Sequence, residues 1–335
     1  MMLAFQKPAS CRVCGSPLEP HLSAVRDEVY GVTGVWNLAR CQDPACGVVY
    51  LSHDLSDDQL SGFYADYGTH SQPVLHATGV KRIYRDALKH ISARRLGYPT
   101  RQDGAAGYLA ALLDRIPFFR QTALARMFWL PYRQDGRLIE IGFGNGQSLV
   151  QLREAGWAVA GSEFDAVCVE QARALGLDVV QGSFFDARYE TAASDAVVAS
   201  HVIEHVPDPV AFVHEAARVL RPGGYLVLVT PNAASRDARR MGRNWRGLEV
   251  PRHLSIHTPG SLRAMAEQAG FTDIEVFGTP LGGFIMQQSR ELSRGSRVSS
   301  SQGLKTVPYS VLASAVATWK PADSDEIVLR CRLSA

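Results

Sequence analysis

Residues Leu138 to Leu149, LIEIGFGNGQSL, combine an apolar run with closely spaced glycines. The run includes the acidic residue Glu140, and Gly142, Gly144 and Gly146 then occupy alternate positions ahead of a stretch with helical character. Glycine has no Cβ, so a large ligand can lie directly on such a backbone, and the first N–H groups of a helix have no partner within it. The stretch therefore predicts a strand, a tight turn and a helix start that form a ligand platform.

A dinucleotide-binding fingerprint, G-x-G-x-x-G, would need a third glycine where this chain has Gln147. The chain instead has the pattern E-x-G-x-G-x-G. This pattern resembles the first motif of the class I S-adenosylmethionine-dependent methyltransferases. The resemblance implies that S-adenosylmethionine binds at the acid and the three glycines, Glu140, Gly142, Gly144 and Gly146. A dehydrogenase is left as the last alternative.

Length and composition predict a globular protein without a strong charge. The 335 residues, 46% of them hydrophobic, allow one large domain and one small domain. The formal charge of +2 gives no global attraction to nucleic acid or to an anionic membrane, so either partner would need a local patch. No run of 18 apolar residues occurs, and the first residues lack the pattern of a secretory signal. We therefore expect a cytoplasmic protein without a transmembrane segment.

Four of the six cysteines fall within the first 50 residues as two pairs, Cys11 with Cys14 and Cys41 with Cys46. Such clustered pairs favour a metal over disulfides. Four thiolates on two turns suit tetrahedral zinc with Zn–S bonds of about 2.3 Å, and four protein ligands leave no open position for catalysis. The sequence predicts a structural zinc site. The alternatives are a reduced, apolar cysteine cluster and a pair of turns that has lost its metal.

The chain is predicted to have three parts: a zinc-ribbon-like module over residues 1–70, a helical lid or linker over 71–136, and an S-adenosylmethionine-binding domain over 137–335. The segment from Val48 to Tyr67 resembles the end of the zinc-binding region of some bacterial sugar and small-molecule methyltransferases. Tyr64 and Tyr67 would line a substrate pocket or pack at the domain junction. The helical part would cover the substrate, bind a lipid-linked acceptor or pack on the sheet edge. Peripheral contact with a membrane is therefore one of the alternatives.

Glu163 follows a second predicted strand, Ala158 to Ser162, and lies 21 positions after Gly142. A carboxylate at about this distance in a nucleotide-binding βαβ unit accepts hydrogen bonds from ribose hydroxyls. Glu163, with Phe164 beside it, is therefore predicted to bind the cofactor. The alternative is an exposed glutamate in a loop.

Two further strand ends are predicted to contact the cofactor. Ser183 and Phe184 follow the third strand, where the resemblance places the adenine, and the family often has an acidic residue at the position of Ser183. Ser200 ends the fourth strand and leads directly into His201. Ligands of open α/β sheets bind at such carboxyl ends of strands.

His201 begins the segment H-V-I-E-H-V-P-D-P. One helical turn there would place His201, Glu204 and His205 on one face, at positions i, i+3 and i+4. With V-L-R-P-G-G and V-T-P-N further on, the segment resembles later motifs of the same methyltransferases, and the resemblance runs in order from Arg137 to about Phe277. Alternating strands and helices predict an α/β fold, and the resemblance implies a doubly wound, mostly parallel sheet of seven strands.

Methyl transfer from a sulfonium needs an aligned acceptor and, for a hydroxyl or an acidic C–H group, a base. Imidazole titrates near neutrality, so His205 is predicted as the base, oriented by Glu204, with His253 as a third catalytic candidate. Alternatively, the histidines only cap the turn or bind the backbone. A further alternative is a divalent metal, with His201 in place of the first Glu of the E-x-x-E-H site of small-RNA 2′-O-methyltransferases. Its ligands would be His201, Glu204, His205 and His253.

Five arginines surround Trp245 in an insertion after the fifth strand, namely Arg236, Arg239, Arg240, Arg243 and Arg246. Arginine forks match phosphate oxygens, so the patch would bind the phosphate of an activated sugar or lipid carrier, or else form a solvated loop. The segment WRGLEVPRHL, with Glu249, Arg252 and His253, is similar to a signature that related proteins carry over the active site. The polar stretch at residues 289–303 is predicted as a loop.

Taken together, the sequence predicts a methyltransferase that acts on O or C of a small polar acceptor, such as a sugar or a cell-envelope glycan or lipid precursor. Its cofactors would be S-adenosylmethionine and Zn²⁺, and its oligomeric state stays open. One rival is an RNA methyltransferase that uses the zinc module and the arginines, although the near-neutral charge disfavours nucleic acid. Another rival is a non-catalytic S-adenosylmethionine-binding protein.

Overall fold

The computed structural model describes residues 4–63, 79–100, 104–296, 298 and 304–335. Their strands are β1 Leu18–Val25, β2 Trp36–Cys41, β3 Val49–Leu51, β4 Arg137–Ile141, β5 Ala158–Glu163, β6 Asp178–Gln181, β7 Ser194–Ser200, β8 Leu220–Pro231, β9 Ser255–Ile256, β10 Phe271–Gly278 and β11 Glu326–Leu333. Their helices are α1 Asp57–Gly62, α2 Gly79–Leu96, α3 Ala105–Leu113, α4 Pro117–Ala125, α5 Gln147–Glu154, α6 Ala166–Ala174, α7 Pro209–Val219, α8 Arg236–Met241, α9 Pro259–Gln268, α10 Gly283–Ser293 and α11 Val307–Trp319.

A seven-stranded sheet in the order β10-β11-β8-β7-β4-β5-β6 forms the larger part of the structure. Strands β8, β7, β4, β5 and β6 pair in parallel, and β10 and β11 add an antiparallel edge. The chain runs outward from β4 in both directions, through β5 and β6 on one side and through β7 and β8 on the other. Ligands of such sheets bind at the strand ends around this switch point. The predicted α/β fold with a mostly parallel sheet of seven strands is confirmed.

Strand β7 shows why the sheet forms as predicted. Its inner residues are apolar and fully buried, as expected for a parallel strand covered on both faces. Helix α7 covers it, and Asp208 caps that helix by accepting the N–H of Ala211. The buried face of α7 consists of Phe212, Val213, Ala216 and Val219. The carboxyl end of β7 is thereby fixed over the centre of the sheet.

At least the second half of the helical part before β4 packs on the large sheet. Tyr98, Trp129 and Leu130 share one buried apolar cluster with Leu138 and Leu149. Helix α3, in contrast, leaves apolar side chains at its outer face exposed. Among the helices described, none combines the length and the hydropathy that a membrane span requires.

A second, antiparallel sheet has the order β1-β2-β3-β9. Its last strand comes from residues 255–256, far beyond the predicted module boundary at residue 70. The buried cluster that contains Cys11, Cys41 and Tyr50 also contains Ile139 and Phe212 of the large domain. The N-terminal module therefore shares both a strand and a core with the rest of the chain.

Two predictions concern segments at the edge of what the structure describes. Tyr64 and Tyr67 lie outside the described residues. Helix α10 extends to Ser293, so the loop predicted from residue 289 begins later than expected. Ser289 and Ser293 donate their hydroxyls to carbonyls four residues earlier, at 2.7 and 2.8 Å, which accommodates these polar residues within a helix.

Candidate active site

The glycine turn connects the end of β4 to the start of α5. Gly142, Gly144 and Gly146 have φ values of 67°, 55° and 74°, in the left-handed region that favours glycine. A Cβ at Gly142 would lie 2.5 Å from Cγ2 of Val202, whereas a Cβ at Gly144 would meet no atom within 4 Å. Gly142 therefore permits close packing, and Gly144 presents bare backbone to open space, as a bound ligand requires.

Glu163, at the end of β5, adjoins this turn. Its Oε2 accepts the N–H of Gly144 at 2.9 Å, and its Oε1 accepts the N–H of Phe164 at 2.7 Å. The Phe164 side chain is exposed next to it. The predicted proximity of the acid to the glycines is present, and no bulky side chain separates them. A carboxylate beside open main chain suits the ribose of an adenosyl group, so the residues fit S-adenosylmethionine.

Glu140 lies under the turn. Its carboxyl group is buried and accepts the hydroxyl of Ser148 at 2.8 and 2.7 Å. Burial raises the pKa of Glu140 to about 8. Glu140 thus ties β4 to the first turn of α5, and its predicted role in cofactor binding would be exerted through the position of that turn.

The residues after β6 form a compact turn. The Ser183 hydroxyl lies 2.7 Å from Oδ2 of Asp186, and it accepts the N–H of Asp186 at 3.0 Å. The Phe184 ring is buried, with its centroid 5.1 Å from that of Phe212, whereas Phe185 is exposed. At this turn the ring of Phe185 is therefore open to a ligand, and the ring of the predicted Phe184 is not. The sequence contains no signal that distinguishes the two rings.

The predicted helical turn from His201 to His205 is wrong in detail. His201 has φ 55°, and a 3-10 turn covers only Ile203–His205. His201 nevertheless contacts Glu204, with 3.2 Å between Nδ1 and Oε1, because the left-handed residue folds the chain back. Ser200 lies just before it at the end of β7.

His201 also contacts an acid that was not predicted from the sequence. Its Nε2 lies 2.8 Å from Oε2 of Glu326, the first residue of β11. Glu326 is 3% exposed and His201 is 43% exposed. Burial lowers the pKa of His201, but the hydrogen bonds and charges of Glu204 and Glu326 outweigh burial, so this pKa lies well above its usual value.

His205 and His253 meet with their ring centroids 4.7 Å apart. The Nδ1 of His205 lies 3.1 Å from the carbonyl of Arg252, and the Nδ1 of His253 lies 2.8 Å from the carbonyl of Gly247. A carbonyl can only accept, so each Nδ1 carries a proton and each neutral ring has its lone pair on Nε2. Burial lowers the pKa of His253 to about 4, which keeps that ring neutral at pH 7.

Glu204 completes this group. It is fully buried, and its Oε2 accepts the Thr230 hydroxyl at 3.0 Å. Burial raises the pKa of Glu204, but the hydrogen bond and the positive charge of His201 outweigh burial and lower it to about 2. Glu204, His205 and His253 each offer one ligand atom within 4.8 Å of the others. The structure thus brings together the three predicted catalytic residues, and His201 is not part of this triad.

The arginines of the insertion mostly have partners. Arg239 donates to Asp323 at 2.6 Å, and Arg246 is buried against Glu249 and Tyr30. Arg236 lies 3.9 Å from Asp237. Trp245 is buried and donates to Asp325 at 2.9 Å. Arg240 and Arg243 form no ion pair with any residue that the structure describes, so the predicted phosphate grip rests on these two.

The four cysteines meet in one cluster. The Sγ atoms of Cys11 and Cys46 lie 3.6 Å apart, and those of Cys14 and Cys41 lie 3.4 Å apart. Sulfurs around tetrahedral zinc with bonds of about 2.3 Å are separated by about 3.8 Å. These four thiols, all within the described residues, form no disulfide, and their sulfur atoms lie within 4.8 Å of one another. The cluster therefore fits one tetrahedral zinc ion.

Comparison with known proteins finds similarity to methyltransferases. The family model of a methyltransferase domain matches residues 106–276, about half of the chain. A probable S-adenosylmethionine-dependent methyltransferase of Mycolicibacterium smegmatis is 36% identical over 31% of this chain. The 27-O-demethylrifamycin SV methyltransferase of Amycolatopsis mediterranei is 28% identical over 54% of this chain, and a ubiquinone biosynthesis O-methyltransferase of Idiomarina loihiensis is 26% identical over 49%.

These alignments cover different shares of the relatives. The chain spans 41% of the Mycolicibacterium protein, 71% of the Amycolatopsis protein and 75% of the Idiomarina protein. The matched region of the family model contains the glycine turn, Glu163 and the whole Glu204, His205 and His253 triad.

Proposed function

The chain belongs to the class I S-adenosylmethionine-dependent methyltransferases, and from that premise we propose that it is an enzyme that methylates an oxygen atom of a small polar acceptor. The observation that carries the proposal is the open backbone at Gly144 beside the Glu163 carboxylate. Two of the relatives are named for the methylation of oxygen, which favours oxygen over carbon as the acceptor atom.

The residues that would hold the cofactor lie at three neighbouring strand ends. S-adenosylmethionine supplies an electrophilic methyl group with a strong leaving group. Gly144 would accommodate it against the main chain, and Glu163 would accept hydrogen bonds from the ribose. Phe164, the 183–184 turn and the Ser200–His201 segment would enclose the remaining parts.

His205 is the group we assign as the base. Its Nδ1–H is held by the Arg252 carbonyl, so the lone pair on Nε2 can accept a proton from an acceptor hydroxyl. His205 is half-buried, whereas His253 is buried, so His205 is the histidine of the pair that an acceptor can reach. The carboxylate of Glu204 would stabilise the imidazolium that forms.

The same geometry favours a divalent metal as a second candidate. Histidines that bind a metal through Nε2 almost always donate Nδ1–H to a carbonyl or a carboxylate, as both rings do here. Two histidines and one carboxylate leave open positions for an acceptor oxygen. A metal at Glu204, His205 and His253 would act as a Lewis acid there. Equilibrium dialysis of the zinc-loaded protein against Mn²⁺, compared with a His253→Gln variant, tests this candidate.

For the cysteine cluster we propose structural Zn²⁺, supported by the sulfur separations. Four clustered thiols that form no disulfide suit a reducing compartment, so we also propose a cytoplasmic location. The resemblance of this region to bacterial sugar methyltransferases supports a sugar or a cell-envelope precursor as the acceptor. Arg240 and Arg243 would contact a phosphate on it.

Calorimetry with S-adenosylhomocysteine, followed by tritiated-methyl transfer to nucleotide sugars, cell-envelope extracts and phenolic compounds, tests the proposal. We expect binding, and label in a hydroxyl-bearing product. An absence of S-adenosylhomocysteine binding would refute the cofactor. Binding without transfer to any acceptor would favour the non-catalytic rival, and RNA binding with a steep dependence on salt would favour the RNA rival.

A further inference from the structure

The loop between β1 and β2 carries a buried carboxylate with partners in two distant parts of the chain. The Asp27 side chain is 3% exposed. Its Oδ1 accepts the N–H groups of Val29 and Tyr30, both at 3.0 Å, and its Oδ2 accepts that of Val32 at 3.1 Å. The same Oδ2 accepts a hydrogen bond from Nη2 of Arg252 at 3.4 Å. Asp27 therefore folds its own loop and also neutralises an arginine that directly precedes His253.

Arg252 is 1% exposed, so its charge needs partners within the protein. Its Nε donates to Oε1 of Glu249 at 3.1 Å, and its guanidinium carbon lies 3.9 Å from the centre of the Tyr30 ring. The Tyr30 hydroxyl also accepts a hydrogen bond from Nη2 of Arg246 at 3.0 Å. Arg246 and Arg252 balance the carboxylates Asp27 and Glu249 in charge. The loop supplies one of those carboxylates and the aromatic ring.

Arg252 is also the point where this charge cluster meets the histidines. Its backbone carbonyl holds the Nδ1–H of His205 at 3.1 Å. Oε2 of Glu249 lies 3.7 Å from Nε2 of His253. If the Arg252 side chain lost its partners, the turn from Glu249 to His253 could shift as a unit, and the hydrogen bond that fixes the His205 ring would weaken.

We propose that Asp27 and Tyr30 are positioning residues for His205, acting through Arg252. The N-terminal module then sets the orientation of the base through Arg252. The proposal rests on the proposed function only where it calls His205 the base. The chain of contacts from Asp27 to the His205 ring is testable without turnover, so its failure is distinct from failure of the proposed methyl transfer.

The test compares zinc-loaded variants of the 335-residue chain by ¹⁵N NMR of histidine side chains. The spectra are recorded about two pH units above the ordinary pKa of free imidazole, about 6.5. The His205 signal is assigned by its disappearance in His205→Gln. Asp27→Asn keeps an oxygen acceptor for the loop but removes the charge that faces Arg252. Tyr30→Leu removes the ring from Arg252, and Tyr30→Phe keeps it. Glu28→Gln, at the exposed neighbour of Asp27, is the matched control.

We expect the Nε2–H form of His205 to increase at least about threefold in Asp27→Asn and Tyr30→Leu. We expect less than a twofold increase in Tyr30→Phe and none in Glu28→Gln. The affinity for S-adenosylhomocysteine should stay within about twofold of wild type in all four variants, because the glycine turn lies outside this contact chain. If Asp27→Asn does not fold, the result for Tyr30→Leu is decisive, because Tyr30 is 43% exposed and lies outside the buried apolar clusters.

Two outcomes would overturn the proposal. One is a wild-type His205 signal in both Asp27→Asn and Tyr30→Leu. The other is the loss of S-adenosylhomocysteine binding together with the Nδ1–H tautomer of His205. That result would indicate general unfolding of the site and not an effect transmitted through Arg252.

Discussion

Replacement of Gly144 by alanine should separate cofactor binding from folding. Gly144 has φ 55°, and a Cβ there would have no heavy atom within 4 Å. The alanine therefore meets no clash in the protein and costs only the left-handed backbone, about 1–2 kcal/mol. In a domain of this size, that cost lowers Tm by roughly 2–8 °C.

Binding should fall by a separate mechanism. A cofactor that lies on the bare Cα of Gly144 would compete with the new methyl group for the same space. Overpacking of this kind costs about 1–3 kcal/mol, which corresponds to an increase of about 5- to 160-fold in Kd. Calorimetry with S-adenosylhomocysteine measures the change directly, and a thermal melt of the same sample confirms that the variant is folded.

Gly270→Ala is the matched control, because Gly270 has φ 82° at the end of α9 and a Cβ there would likewise have no heavy atom within 4 Å. It should show the same loss of stability and an unchanged Kd. An unchanged Kd in Gly144→Ala would refute the placement of the cofactor on this turn. An equal loss of affinity in both variants would mean that backbone strain is responsible and not contact with the ligand.

Three further predictions follow from the site. Because burial raises the pKa of Glu140 to about 8, the folded state keeps a proton that the unfolded state releases above about pH 4.5. Glu140 therefore lowers the free energy of unfolding as pH rises toward 8, by at most about 1.4 kcal/mol per pH unit. In urea titrations, the free energy of unfolding of Glu140→Gln should depend less on pH than that of the wild type, and an equal dependence in both would contradict this. His205→Gln should keep the affinity for S-adenosylhomocysteine within about twofold and lose at least about 100-fold in methyl transfer, whereas full turnover would place the base elsewhere. Cys14→Ser should lose bound zinc and unfold several degrees lower, while Cys168→Ser keeps its zinc; an unchanged metal content in Cys14→Ser would remove Cys14 from the site.

The parts of the site that follow from local chain geometry were predictable from sequence. A glycine turn after β4 and an acid at the end of β5 must meet, because adjacent parallel strands end at the same edge of the sheet. That is why the proximity of Gly144 and Glu163 could be predicted from two short stretches. The same reasoning places His201 and Glu204, which follow β7, at that edge.

Other contacts depend on the way distant segments assemble, and short motifs do not encode them. The left-handed conformation of His201 was not predicted, because only a few per cent of non-glycine residues adopt it and no neighbouring residue in the sequence requires it. Glu326 did leave a signal that was missed. An antiparallel strand begins at the edge where its parallel neighbour ends, and Glu326 pairs with Pro231 at the end of β8. An acidic residue at the start of the antiparallel strand β11 is therefore expected near the carboxyl ends of the parallel strands.

The segment that carries His253 shows how the module and the catalytic domain depend on each other. β9, two residues after His253, is held by β3 of the N-terminal sheet, and the N–H of Leu254 donates to the Glu204 carbonyl at 2.8 Å. His253 is thus fixed on one side by the module and on the other by the turn after β7. The Asp27 carboxylate of the module neutralises the side chain of Arg252, the residue that precedes His253. The spacing of Glu249 and Arg252 therefore serves the burial of a charge. A protein reduced to residues 106–276 would lack β3 and Asp27, and would leave Arg252 without its partner from the loop.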